Sequence, residues 1–434
     1  MDPSIAGAVG LATLFTLMAL GLPIGFSFMA VGFGGTAYLA GMNSALAAVA
    51  RIPFTWINEY VFTCVPLFVL SGFLIARTGV ATDLFTVGNK WLGRLPGGLA
   101  MATTAAVGFF SAVSGSSTAC VATMSATCYP EMKRHNYHDS LATGCIAAGG
   151  GIDLMIPPSL GFVIFGIMSE ESIGKLFIAG IVPGMIQILS FFLMIYLVAR
   201  LNPDLAPLAE MRSISWAEKI RSLGDLWVII VLFALVIGGI YFGFFTPIEA
   251  GAISSAGALL VTLVTGRLNW GNLAESLIDT ASVTVIIFVL LVGAMVFNVF
   301  LTLSNLPQAV AVLLNGVGSP MAGLALILLL YIPLGMVMDA TGMIVLTVPL
   351  YLPFLASNGI SLIWFGVLLM MMVEIGLITP PVGMNVFVVQ GVIKVVPMQV
   401  IFRGMVPFLL ADFAVLALLV AFPQLSLFLP SLMK

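Results

Sequence analysis

Two oxygen-rich stretches and two Pro-Pro pairs carry the chemistry this sequence can offer. Ser114-Gly115-Ser116-Ser117-Thr118 interrupts one apolar run, and Met338-Asp339-Ala340-Thr341-Gly342 interrupts another. Two further apolar runs hold DLMIPPSLGF (153–162) and GLITPPVGMN (376–385), with Pro157-Pro158 and Pro380-Pro381 at their centres. Each Pro-Pro pair removes two backbone donors and breaks the helix, so the preceding carbonyls lose their partners. Such backbone is tolerated at membrane depth only against protein or a wet cavity. Hydroxyls and bare carbonyls suit a hard cation stripped of its water, Na⁺ foremost. One cluster offers Ser114, Ser116, Ser117, Thr118 and the carbonyls of 153–158. The other offers Gly335, Thr341, Gly376, Thr379 and the carbonyls leading to Val382. The plainer alternative is that Ser, Thr and Gly let helices pack closely. Two clusters of the same make-up weigh against it.

Five acids lie in apolar surroundings: Asp153, Glu249, Asp339, Glu374 and Asp412. Intramembrane acids are functional by default. Asp339 at a tip and Asp153 beside a break are the candidates, and they keep a proton open as the rival coupling ion. Glu249 follows Thr246-Pro247 and suits a helix start; Asp412 suits a structural role. No Lys or Arg falls near a tip or a break. An anionic solute would therefore rest on half-helix N-termini and hydroxyls. Thr118, Ser159, Thr341 and Asn385 are the candidates, with Ser117 and Asp339 beside them. Phosphate-loop, zinc and nucleophile-elbow signatures are absent. Gly149-Gly150-Gly151 fits helix packing or a hinge. The four cysteines sit in apolar context and read as packing residues, and His135 and His138 lie in a polar, solvated stretch.

These pieces need a frame. Of the 434 residues, 61% are hydrophobic and 8% charged, with a net charge of −3; mean hydropathy is +1.19. Soluble domains carry about 25% charged residues, so the composition predicts an all-α polytopic membrane protein. The net charge argues against nucleic acid as a partner, and MDPSIAG lacks the basic n-region of a cleaved signal peptide. Apolar segments fall near 5–20 and 24–41, an interfacial helix at 43–58 and a span at 60–76. A charged loop is expected at 77–94, a hairpin at 96–130, a broken helix at 139–171 and a span at 176–199. Each hairpin limb is about 16 residues, roughly 24 Å, too short for a core of roughly 30 Å. The tip therefore stops inside the membrane. Residues 200–225 are charge-dense and read as a linker. The second half repeats the order: spans at 226–243 and 247–265, an interfacial helix at 268–280 and a span at 281–303. A hairpin at 320–353, a broken helix at 361–394 and a span at 405–428 complete it.

Counting supports the repeat. Pro23, Pro96, Pro130, Pro157, Pro158 and Pro183 pair with Pro247, Pro320, Pro353, Pro380, Pro381 and Pro407 at offsets of 223 or 224. Chance would give about one such match at the usual proline frequency of roughly 5%. The positive-inside rule places 12 of 15 basic residues in the cytoplasm when Arg94, Lys133 and Arg134 mark the first hairpin's base. The second hairpin's base then faces outward. The halves, 1–199 and 226–434, have opposite topology, with the 200–225 linker inside and both termini outside.

PLFVLSGF (66–73), SAVSGSSTA (111–119), IPPS (156–159), GIVPG (180–184), FTPIEAGA (245–252), GMVMDA (335–340) and ITPPVGMN (378–385) cover nearly the whole chain. In this order they resemble the large membrane subunit of tripartite ATP-independent periplasmic (TRAP) transporters. The resemblance implies an elevator-type secondary transporter of the ion transporter superfamily, taking up an organic acid with Na⁺ across the bacterial inner membrane. It implies one sodium at Ser114, Ser116, Asp153, Ile156 and Pro158, and another at Gly335, Gly376, Thr379 and Val382. It also implies a small membrane subunit as a separate chain and a periplasmic substrate-binding protein. Dicarboxylates, sialic acids, keto acids and sulfonates all fit. A self-sufficient dicarboxylate–sodium or proton symporter is the rival reading; an intramembrane enzyme would need a nucleophile–base pair or metal ligands at depth, and none is visible. A channel would suit paired tips and breaks less well than an occluded site.

Overall fold

The computed structural model describes residues 2–77, 79–114, 117–207, 215–266 and 268–433, with backbone alone at 80, 81, 111–114, 119, 225 and 228. Every regular element among them is helical. The first half runs α1 (Pro3–Ala19), α2 (Ile24–Ala40), α3 (Met42–Ile57), α4 (Cys64–Ala76), α5 (Val80–Leu92), α6 (Gly98–Ser114), α7 (Ser117–Arg134), α8 (Asp139–Gly149), α9 (Leu160–Ser169) and α10 (Ile173–Leu201). After α11 (Trp216–Leu223) the second half runs α12 (Trp227–Tyr241), α13 (Pro247–Val264), α14 (Trp270–Leu303), α15 (Leu306–Asn315), α16 (Pro320–Gly335), α17 (Ala340–Ser357), α18 (Leu362–Ile378), α19 (Met384–Val392), α20 (Met398–Ala421) and α21 (Gln424–Ser431). Among the described residues, α10, α13, α14, α17 and α20 are each long and apolar enough to cross a membrane alone. The shorter limbs α6, α16, α9 and α18 are the hairpin and broken-helix pieces, as proline placement predicts.

Three expectations are corrected. Residues 77–94 are not a loop: α5 turns Leu84, Phe85 and Val87 inward onto α6, and its charges lie on the other face. Gly88 sits against Ala102, where a Cβ would stand 3.1 Å from the Ala102 Cα. The charges concealed an amphipathic helix. Its counterpart α15 lies between the 281–303 span and the 320–353 hairpin, where no element is expected from the sequence. The 268–280 and 281–303 segments are also one helix, α14. In the first half the Asn58-Glu59 turn breaks the corresponding run, and the pieces Met42–Ile57 and Tyr60–Ala76 meet at a 58° bend. No proline interrupts α14. Finally, α20 begins at Met398, earlier than expected, and α21 is a separate short helix.

Small residues set the packing. A Cβ on Gly32 would stand 2.6 Å from the Phe297 nitrogen, and one on Gly293 would stand 2.1 Å from the Gly25 oxygen. This glycine seam lets α2 and α14 meet backbone to backbone, as membrane helices do. On α4 and α13, Ser71 Oγ lies 2.7 Å from Ser254 Oγ, and Ser255 donates to the Leu67 carbonyl. Gly144 and Gly404 do the same for α8 and α20, with 2.4 Å between a Gly144 Cβ and the Gly404 oxygen. The helices thereby fall into two groups. One holds α2, α3, α4, α13 and α14; the other holds both hairpins, both broken helices, α10 and α20. The four cysteines are buried and free.

Candidate functional site

The first break forms where α8 gives way to a 3₁₀ turn at Gly150–Leu154, ahead of Pro157-Pro158. The prolines supply no donors, so Ser159 turns its hydroxyl back onto the Leu154 carbonyl at 3.0 Å. Asp153 is buried within the turn, and Ile156 is buried just after it. The glycine triplet is packing rather than hinge. A Cβ on Gly149 would stand 2.9 Å from Val107, one on Gly150 would stand 2.1 Å from Val121, and one on Gly151 would stand 2.3 Å from Glu374. At the hairpin tip, Ser116 and Gly115 lie outside the described residues, and Ser114 closes α6. Ser117 opens α7, its Oγ lying 2.7 Å from the Gly150 oxygen and 3.1 Å from Asn385 Oδ1. A hydroxyl has one proton, so these two acceptors share it.

The second break forms where α18 stops at Ile378. Thr379 Oγ donates to the Ile375 carbonyl at 2.5 Å, taking one of the helix's last free acceptors. Gly383, with φ +62°, makes the left-handed turn that starts α19. Gly335 and Gly376 meet backbone to backbone: a Cβ on Gly335 would stand 2.4 Å from the Gly376 Cα. The second set of sodium candidates thus has its two glycines in contact, with Thr379 and Val382 on the connection that follows. Asp339 is the N-cap of α17, and its carboxylate accepts the Thr341 N–H at 3.1 Å. Glu249 is paired with Thr246 in a capping box, the helix-start role the sequence suggested.

A cavity of about 240 Å³ lies where these parts converge. Ser117 and Thr118 come from the first tip, Asp153 and Leu160 from the first break, and Asp339 and Thr341 from the second tip. Leu377 and Met384 flank the second break, and Val283, Ile286 and Ile287 of α14 form an apolar wall. Among the described residues, no Lys or Arg lines it. The chain thus brings Ser117, Thr118, Asp153, Asp339 and Thr341 together across both halves. Ser159 and Asn385 stand behind this lining. Asn385 is fully buried; it donates to the Ala147 carbonyl at 3.2 Å and accepts from Ser117. It ties the second broken helix to the first and to the first hairpin.

The α14 wall could not be read from the sequence, because its residues look like any lipid-facing run. A second polar group also escaped: Gln187 on α10 donates to Asp412 on α20 at 3.1 Å, both fully buried.

The profile for the DctM component of tripartite ATP-independent periplasmic transporters matches residues 11–425. The sialic acid TRAP transporter large permease protein SiaM of Vibrio cholerae is 33% identical over 96% of this chain and 96% of its own length. The ectoine TRAP transporter large permease protein TeaC of Halomonas elongata is 32% identical over 97% of this chain and 98% of its own. The crystal structure of the Alcanivorax borkumensis YdaH transporter superposes with a TM-score of 0.58, covering 98% of each chain at 15% identity. That likeness supports the fold alone.

Proposed function

We propose, from the premise that this chain belongs to the DctM family of tripartite ATP-independent periplasmic transporters, that it is the large permease for uptake of an organic acid, driven by Na⁺ across the inner membrane. Sialic acid and ectoine, the solutes named for two relatives, both carry a carboxylate. The observation that carries the proposal is the single cavity reached by both hairpin tips and both broken helices. Its hydroxyls, Thr118 and Thr341, stand at the starts of α7 and α17, where helix N-termini favour an anion. Asp339 accepts an N–H of that same helix start, which offsets part of its charge.

The fit to sodium rests on the backbone contact of Gly335 and Gly376, because only residues without a Cβ leave carbonyls that close. Gly335, Gly376, Thr379 and Val382 would hold one ion. Ser114, Ser116, Asp153, Ile156 and Pro158 would hold the other. Bound sodium supplies positive charge that favours the solute's carboxylate in the adjoining cavity. The group of hairpins and broken helices would slide as an elevator against the group built on α2, α4, α13 and α14, the two halves having inverted topology. The tripartite description implies a binding protein and a small membrane subunit as separate partners.

Reconstitution tests this. Proteoliposomes holding this chain, its small subunit and the binding protein should take up solute under an inward Na⁺ gradient and not under a proton gradient alone. Saturable uptake by the purified chain alone would favour the self-sufficient symporter. Full uptake without sodium would turn attention to Asp153 and Asp339 as proton carriers.

A further inference from the structure

The short linker helix α11 leaves one apolar face uncovered. Trp216, Ile220 and Leu223 follow at spacings of four and three, within about 60° of arc at 3.6 residues per turn. Trp216 is 72% exposed and Ile220 62%. The apolar surface does not stop with the helix. Past one 3₁₀ turn at Gly224–Leu226, exposed Trp227, Ile230 and Val231 carry it onto α12. α12 is read as a membrane span, so its outward apolar face meets lipid, and the face of α11 is continuous with it.

The other sides of α11 are accounted for. Ser222 is buried, and α11 packs on α5. Trp91 Nε1 of α5 donates to the Lys219 carbonyl at 3.2 Å, and Lys219 Nζ donates to the Trp91 carbonyl at 3.4 Å. The Trp91 and Trp216 rings meet edge to face at 6.2 Å. Glu218 and Arg221 are exposed on the polar side. Basic charge gathers around this contact. Lys90, Arg94 and Arg221 each lie within three residues of Trp91 or Lys219. Among the described residues, none of these four cations is in an ion pair. Of the acids on these elements, Glu218 is engaged in its capping box with Ser215, and Asp83 lies about two turns back along α5. The side chain of Asp225 is outside the described residues.

We propose that α11 and the end of α5 form a binding site for an anionic phospholipid of the cytoplasmic leaflet. Trp216, Ile220 and Leu223 sit at the boundary between headgroups and acyl chains, and Lys90, Arg94 and Lys219 face the phosphate layer. Tryptophan at the end of a span beside a basic rim is the pattern that the headgroup layer selects. Basic clusters on the cytoplasmic side of a span attract anionic headgroups. Lysine is depleted at protein–protein interfaces, and two of the four cations here are lysines. The site bears on both groups of helices, because α5 packs on α6 of the first hairpin and α12 packs on α13. A lipid held here therefore joins the moving hairpin's neighbour to the scaffold side. The inference rests on the membrane-spanning reading of α12 and not on the solute or the coupling ion.

The test places the full chain in phosphatidylcholine nanodiscs containing increasing amounts of either brominated phosphatidylglycerol or brominated phosphatidylcholine. Bromine on the acyl chain quenches an indole it touches. The contribution of Trp216 is read as the parent minus Trp216→Phe, a substitution at an exposed ring. Half-quenching of that contribution should need less of the anionic lipid by about fivefold or more, the effect of one basic residue near an anionic surface. Lys90→Gln/Arg94→Gln leaves the Trp91–Lys219 contact in place. In that variant the two lipids should come to near parity while both still quench. Equal quenching by the two lipids in the parent overturns the site, and so does a preference that Lys90→Gln/Arg94→Gln leaves unchanged. Quenching by neither lipid puts the face outside the bilayer, and quenching that vanishes when the small membrane subunit is added assigns the face to that subunit; either result overturns the lipid site. No arm reads uptake, so this site and the proposed function fail independently.

Discussion

Asn385 of the second half and Ser117 of the first are joined across the centre of the molecule, Oδ1 to Oγ at 3.1 Å. The same amide donates to the Ala147 carbonyl. Three elements, α7, α8 and α19, therefore hold one another through a single buried side chain. Asn385→Ala removes the donor to the buried Ala147 carbonyl, while Ser117 keeps the Gly150 carbonyl as its acceptor, at an expected cost of about 1–3 kcal/mol. Both the melting temperature of the purified chain and its uptake in reconstituted complexes should fall. An unchanged melting temperature would show that the clasp contributes nothing.

Asp339 caps α17 and also faces the cavity, and two substitutions separate those roles. Asparagine caps as well as aspartate, whereas alanine costs about 1 kcal/mol of helix stability. Asp339→Asn should therefore melt with the parent chain and Asp339→Ala below it. If the charge matters to transport, both variants should lose uptake to a similar degree. Parent-like uptake in Asp339→Asn would reduce Asp339 to a cap.

The Gly335–Gly376 contact leaves no space for a methyl group, since a Cβ on Gly376 would stand 2.8 Å from the Tyr331 oxygen. Gly376→Ala should push α16 from α18 and cost about 1–3 kcal/mol through overpacking. The apparent affinity for Na⁺ should drop by more than that for solute, measured as the shift in half-saturating sodium. Equal loss of both would indicate general damage and remove the support for a backbone sodium site there.

Much of this was legible because proline and glycine mark breaks directly. Both hairpin tips and both broken helices follow from residues whose backbone chemistry is local. What stayed hidden is long-range or disguised. α5 carries Asp83, Asn89 and Lys90 on one side, and these masked the buried Leu84 and Phe85. Gln187 and Asp412 lie 225 residues apart, and nothing local to either foretells their hydrogen bond. Asn385 looked like a solute ligand because it follows a break; only the fold reveals that its amide is already engaged with Ala147 and Ser117.

Orientation is the last expectation to test. Charge clusters near the ends of α4, α7 and α14: Arg77 pairs with Glu275 and with Asp279, the latter at 2.5 Å, and Lys133 pairs with Asp139 at 2.7 Å. Lys219 of the linker lies 5.9 Å from the Trp91 ring and 5.4 Å from the Trp216 ring. The positive-inside rule puts these residues in the cytoplasm and the uncharged turn between α15 and α16 outside. Exposed Asn202, after α10, and exposed Val317, between α15 and α16, can each be replaced by cysteine. The native cysteines are buried and should stay silent to an impermeant maleimide. In intact cells with a permeable outer membrane, Val317→Cys should label at once, and Asn202→Cys only after the inner membrane is opened. Labelling of both from outside would break the inverted arrangement of the halves, and with it the elevator reading, because the two hairpins would then enter the membrane from the same side.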